Sequence, residues 1–180
     1  MFRCLLIFIF LISTSITQAS DREKIIENLQ KIKNLKFKFE QNINGKIENG
    51  NCIIQYPKKI YCKYDSSNHK TLVSNGKSLV IKTKSSYYIY PLDKTPLNYI
   101  LDKDFLINRI KNLKGRIIQN KFINYNFIEN DNDINIFFDQ KNHDLIGWQT
   151  LDVYQNLSIT YFSSIIKNQE LNKNIFYLPN

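Results

Sequence analysis

The chain is predicted to be an α+β protein, mainly β. One antiparallel sheet of many short strands is preceded by a helix and interrupted in its middle by a helical insertion. Three observations within residues 50–101 predict this. Apolar and polar residues alternate over 50–64 with a single break at Pro57-Lys58-Lys59. Asn75-Gly76 then stands between two alternating runs, the strongest short-range hairpin signal; a type I′ turn there would set Leu72 opposite Leu79. Finally, Thr95-Pro96 reads as an N-cap followed by a proline at the first helical position.

Taken in order, the chain opens on an address. Arg3 supplies a positive charge, and residues 5–12 form an apolar run of signal-peptide length, too short to span a bilayer. Thr17-Gln18-Ala19 fits a small-x-small cleavage pattern. The expectation is a leader over 1–19 and one domain over 20–180, long enough for a sizeable core. The alternative is an uncleaved anchor. Cys4 lies before the apolar run, whereas lipidation needs a cysteine after it. The expected destination is the periplasm of a Gram-negative bacterium.

Ser20-Asp21-Arg22-Glu23 is a capping box. Ile25, Ile26, Leu29, Ile32 and Leu35 recur at helical spacing after it, predicting an amphipathic helix of about four turns. From Lys36 the period becomes two. Phe37, Phe39, Gln41 and Ile43 share one strand face, with Gln41 the polar exception. Cys52, Ile54 and Tyr56 share a face of the next strand, and Ile60, Cys62 and Tyr64 a face of the one after. Pro91 ends a short strand over 87–90. Leu97, Tyr99, Ile100 and Leu101 then form one helix, and Asp104 is the expected cap of a second, containing Phe105, Leu106, Ile107 and Ile110. Strands follow over 116–119, 122–129, 134–139, 145–151 and 157–166. The tail, 175–179, reads as a last strand or a lid.

Composition narrows the function. The net charge of +9 would suit nucleic acid or an anionic surface, but export argues against nucleic acid. The lysines fall largely at alternate, outward strand positions. Once Cys4 leaves with the leader, Cys52 and Cys62 remain on one face of facing strands, and an oxidising compartment permits a disulfide between them. Two small buried thiols are the alternative. His69 and His143, the only histidines, sit in polar turns and read as exposed. No ligand pair has close metal spacing. No nucleophile elbow, P-loop or dinucleotide fingerprint appears. No catalytic residue, metal or cofactor is therefore expected. What the chain does have is a surplus of aromatic and aliphatic side chains on single faces. Helices covering such a sheet either fill its concavity or leave a cavity, and periodicity does not distinguish the two.

The order of features resembles the periplasmic outer-membrane lipoprotein carrier family (LolA). The matching pieces are Phe39-Glu40-Gln41, Gly50 and the strand to Tyr56-Pro57, Tyr64, residues 72–77 (LVSNGK), Tyr90-Pro91-Leu92, Thr95-Pro96-Leu97 and Phe176-Tyr177-Leu178-Pro179. They span nearly the whole mature chain in order. The resemblance implies an incomplete antiparallel β-barrel lidded by the N-terminal and central helices and enclosing an apolar cavity. It further implies a monomeric, non-enzymatic carrier of triacylated lipoproteins, loaded by an inner-membrane ATP-driven release complex and unloaded at the outer membrane, in some members onto a receptor. On this reading Ile25, Leu29, Phe37, Phe39, Ile54, Tyr56, Ile60, Tyr64, Leu72, Leu79, Leu97, Ile100 and Leu101 form the cavity wall or lid. Family members carry an arginine before the proline as a lid latch; this chain has Tyr56 there, with one donor instead of five. The rival readings are a module of the same shape that binds another lipid or a protein, and an envelope enzyme acting on lipids.

Overall fold

The computed structural model describes residues 19–66 and 68–179; the expected leader lies, except for Ala19, outside them. α1 (Asp21–Lys31) leads into β1 (Asn34–Ile43), β2 (Lys46–Gln55), β3 (Lys59–Tyr64), β4 (Thr71–Asn75), β5 (Ser78–Lys82) and β6 (Tyr87–Pro91). A 3-10 turn, Leu92–Lys94, precedes α2 (Leu97–Ile100) and α3 (Lys103–Asn112). Then come β7 (Arg116–Ile118), β8 (Phe122–Glu129), β9 (Asn132–Asp139), β10 (Leu145–Leu151), β11 (Leu157–Lys167) and a 3-10 turn, Lys173–Phe176.

All eleven strands form one antiparallel sheet in the order β6-β5-β4-β3-β2-β1-β11-β10-β9-β8-β7. It consists of two meanders, before and after the helical insertion, joined where β1 pairs with β11. β6 and β7 are the end strands, so the sheet is not closed. The predicted α+β architecture is thus present as a mainly antiparallel sheet with few helices. Among the described residues, no helix is long and apolar enough to cross a membrane.

The capping box at Ser20 forms in full: Ser20 Oγ accepts from the Glu23 amide, and Glu23 accepts from the Ser20 amide. Ile25 and Leu29 then face inward. The helix stops a turn earlier than its apolar spacing predicts. Lys33 and Asn34 donate their amides to Asn168 Oδ1, and Leu35 pairs with Ile54, so strand pairing claims this stretch. α3 lies beside α1, and Lys103 Nζ donates to the carbonyls of Gln30 and Ile32 at the end of α1.

Four other expectations are corrected. Asn75-Gly76 does not make a two-residue turn: Asn75 Oδ1 accepts from the Lys77 and Ser78 amides, and Gly76 takes a φ of 99°. Ser74 therefore pairs with Leu79, and Leu72 with Ile81. The slip is two residues, so every side chain keeps its face. The cap of α3 is Asp102, whose carboxylate accepts from the Phe105 amide at 3.1 Å, rather than Asp104. Thr95 does not cap α2; its hydroxyl turns back to the Leu92 carbonyl, and Pro96 holds the cap position. His143 is not exposed: it is buried, with Nε2 3.0 Å from Asp21 Oδ1 at the start of α1. The tail adds no strand. Its 3-10 turn packs against β3 and β4 and buries Phe176.

Candidate functional site

Consider first the inner face of the sheet. α1, α2 and α3 cover one end of it. There Ile25, Leu29, Ile100, Leu101, Leu106 and Ile110 join Ile54, Ile123, Tyr125, Ile136 and Phe138 in one core. The helices do not reach the other end. The second half of β1, the first half of β2 and the facing parts of β3, β4, β5, β10 and β11 instead surround a pocket of about 310 Å³.

The pocket wall is mainly apolar. Phe39, Ile60, Tyr64, Leu72 and Leu79 line it, together with Ile81, Trp148 and the directly opposed, disulfide-linked pair Cys52–Cys62. Leu97, at the start of α2, closes one side with Thr95 and Pro96. Gly50 sets the packing of two of these wall residues. It sits in register between Phe39 on β1 and Tyr64 on β3, whose rings meet edge to face at 4.9 Å. A Cβ at Gly50 would fall 2.2 Å from the Lys63 carbonyl oxygen and 2.7 Å from the Phe39 ring. Only glycine lets the two aromatics close over the strand between them.

Two polar features interrupt the apolar wall. Gln41 stands inside it, donating through Nε2 to Ser158 Oγ (2.9 Å) and Thr160 Oγ1 (3.2 Å) and accepting from the Tyr64 hydroxyl (3.1 Å). Near the mouth, Glu48 pairs with Lys46 and Lys70, and Lys70 Nζ lies 4.1 Å from the centre of the Tyr64 ring. Burial pulls the Glu48 carboxyl up, but the hydrogen bonds and charges of Lys70 and Lys46 outweigh it and hold the group below its usual range. Tyr64 is pushed well above the usual tyrosine range, by burial first and then by the charge of Glu48. At the rim, Tyr90 is raised to about 12, chiefly by its hydrogen bond with Tyr154 and then by burial.

The thirteen sequence-assigned wall and lid residues divide between the two ends. Phe39, Ile60, Tyr64, Leu72, Leu79 and Leu97 line the pocket. Ile25, Leu29, Phe37, Ile54, Ile100 and Leu101 belong to the packed core away from the pocket, and Tyr56 packs against it; Phe39, Ile60 and Tyr64 are themselves buried and continuous with that core. Trp148, Thr150, Ser158 and Thr160 line the pocket but were not singled out from the sequence. β11 mixes polar and apolar residues on both faces, so its alternation carries no clear phase; the only signal was Gln41, a polar residue on an apolar face.

At the expected latch position, the Tyr56 hydroxyl is buried without a hydrogen-bond partner, and burial raises its ionisation far above the usual range. The neighbouring Lys58 makes the contacts to the helices. Its amide donates to the Leu101 carbonyl at 2.8 Å, and its Nζ stands 3.5 Å from Asp102. Ser74 Oγ in turn donates to the Lys58 carbonyl.

Among the described residues, no group of three or more histidine, cysteine or acidic side chains could hold a metal ion. An open antiparallel sheet, helix-covered at one end and carrying an apolar pocket at the other, places the chain in the class of binding proteins. The sequence profile of the outer membrane lipoprotein carrier protein family, LolA, matches residues 30–179, and the chain belongs to that family. No curated protein matches it in sequence. Solved structures are similar to it at low identity. The LolA superfamily protein NE2245 of Nitrosomonas europaea is 10% identical (TM-score 0.45), over 89% of this chain and 99% of that one. MucB, in the MucA/MucB complex of Pseudomonas aeruginosa, is 9% identical (TM-score 0.50), over 89% of this chain and 62% of that one. The Mycobacterium tuberculosis lipoprotein LppX is 8% identical (TM-score 0.44), over 84% and 95%.

Proposed function

We propose that this protein is an exported chaperone that shields lipoprotein acyl chains in its pocket and carries them through the periplasm from the inner to the outer membrane. One observation carries the reading. The helices fill only one end of the sheet's inner face and leave an apolar pocket lined by Phe39, Ile60, Leu72, Leu79 and Leu97 at the other. Each acyl methylene removed from water is stabilised by about 0.8 kcal/mol, so a triacylated cargo does not cross water bare. The pocket volume lies near the lower end of the roughly 300–1,000 Å³ typical of ligand sites. Full loading therefore requires α2 and α3 to move off the sheet. The work of moving them lowers the net affinity, which is what a carrier that must release its cargo needs. In this reading the Lys58 turn is the contact that loading breaks. It replaces the family arginine with one backbone hydrogen bond and one partly exposed ion pair.

A release assay tests the proposal. Membrane vesicles bearing the organism's ATP-driven release complex and a labelled lipoprotein are given ATP with and without the protein. The expected result is labelled lipoprotein in the supernatant, bound one to one, only when the protein is present. Cargo retained on the vesicles despite a folded, monomeric protein would overturn it.

A further inference from the structure

The polar cluster in the pocket wall holds more hydrogens than its mutual contacts use. Gln41, Tyr64, Ser158 and Thr160 meet through three hydrogen bonds. They bring two hydrogens on the Gln41 amide nitrogen and one on each of three hydroxyls, five in all. Each contact uses one hydrogen, so two of the five take no part in them and are open to a further acceptor. Turning the Gln41 amide over changes which two, not how many. Ser158 and Thr160 are each only 3% exposed, and Tyr64 6%. All four side chains line the pocket.

Water accepts from two such donors while the pocket is empty. An acyl chain that expels the water strands them, at a penalty, unless the ligand brings acceptors of its own. A bare hydrocarbon brings none. A carboxylate would also accept, but Glu48 and Asp152 line the same pocket, its lysines Lys46 and Lys70 are already paired with Glu48, and the Glu48 charge weighs on the Tyr64 hydroxyl. A neutral carbonyl at the head of an aliphatic chain meets both conditions.

We propose that Gln41, Tyr64, Ser158 and Thr160 form a carbonyl-reading site, which accepts the ester or amide carbonyl of an acyl lipid and selects it over chains lacking one. This inference rests on the pocket being the acyl-chain site.

The test compares lipids of equal chain length as competitors for a fluorescent acyl probe bound to the purified protein. The three competitors are dipalmitoyl glycerol, its ether-linked counterpart dihexadecyl glycerol, and free palmitate. Two donors matched by the ester but only weakly by the ether predict that the ester competes about tenfold better or more. Palmitate is expected to compete less well than the ester. Gln41→Glu keeps the shape but turns the cluster into three donors around one carboxylate, all accepted. The ester and ether are both uncharged, so the new charge does not favour either directly, and their difference should fall within about twofold. Ester and ether binding within twofold in the wild type overturns the inference and leaves the carrier reading intact. So does palmitate binding better than the ester. A folded protein that binds none of the acyl compounds overturns the pocket reading beneath it. The wild-type comparison decides the question even if Gln41→Glu fails to fold.

Discussion

The covered and open ends of the sheet are built from the same strands with the same alternation, yet they do different things. β1 runs from one to the other. Leu35 and Phe37 are 1% and 2% exposed at the covered end, with Phe37 stacked on Phe162 at 3.9 Å. Two residues further on, Phe39 already lines the pocket, and Gln41 and Ile43 follow it there. β2 makes the same passage in reverse, from Glu48 at the mouth to Ile54 in the core. What differs is the covering. α1, α2 and α3 together supply Ile25, Leu29, Ile100, Leu106 and Ile110 to one end and only the start of α2 to the other. Where the helices stop decides which end of the inner face is filled and which holds the pocket.

The largest test of that difference is truncation at each end. Leu29→Ala at the covered end is expected to lower unfolding stability by about 2–5 kcal/mol, through lost transfer energy and a residual cavity. Leu72→Ala, on the half-buried pocket wall, should lose less, while acyl-probe affinity falls with it. Urea unfolding alongside probe titration checks both. Equal stability losses at the two sites would mean that the ends do not differ.

The disulfide of the pocket wall and the glycine beside Phe39 and Tyr64 come next. Cys52 and Cys62 face each other directly on β2 and β3. Replacing both by serine should lower stability by about 2–4 kcal/mol, the usual range for a native bridge. The reduced wild type should match the variant and recover on oxidation. Gly50→Ala would drive a methyl into the Lys63 carbonyl and the Phe39 ring. Overpacking of this kind costs about 1–3 kcal/mol. Because it parts Phe39 from Tyr64, it should also change the near-ultraviolet circular dichroism that reports their packing.

The Lys58 turn separates stability from opening. The Lys58–Asp102 pair is about one-third exposed on both sides, so Lys58→Met should move stability by no more than about 1 kcal/mol. Under the carrier reading, acyl-probe binding should strengthen, because the helices open against one contact fewer. An unchanged affinity would remove Lys58 from the latch role.

These expectations also mark what sequence could and could not tell. The successive hairpins, the strand faces and the helical insertion follow from period and turn chemistry, which are local; the pairing of β1 with β11, which joins the two meanders, is remote in the chain and was not read from the sequence. The register of β4 with β5 was off by two, because the Asn75 side chain accepts amides that a two-residue turn would have left to the strands. The end of α1 was misplaced because Leu35 fits a helical stripe and a strand equally well, and pairing with Ile54 decided it. Division of the apolar residues into core and pocket was not legible at all. Phe37 and Phe39 have the same type and face and are both buried in the core; only Phe39 also borders the pocket. Buried His143 was hidden for the same reason, since its partner Asp21 is remote in the chain.

The smallest effect concerns acid. Glu48 is an anion of the open end, 3.1 Å from Lys46 and hydrogen-bonded to Lys70. Its folded pKa lies below the ordinary value of 4.5. A carboxyl depressed by folding stabilises the fold fully above the unfolded value, and that stabilisation disappears as pH falls through the folded one. Glu48→Gln should therefore be less stable than the wild type at neutral pH, and the gap should narrow once pH drops below about 4.5. Urea midpoints of the two proteins across that range give the comparison directly; other titrating groups are common to both and cancel in the difference. Glu27 on α1 is likewise lowered by Lys31, but it is fully exposed, so Glu27→Gln should show almost no such gap. A pH-dependent gap at Glu48 with none at Glu27 would locate the acid-sensitive charge at the mouth of the pocket, the one end that the helices leave uncovered.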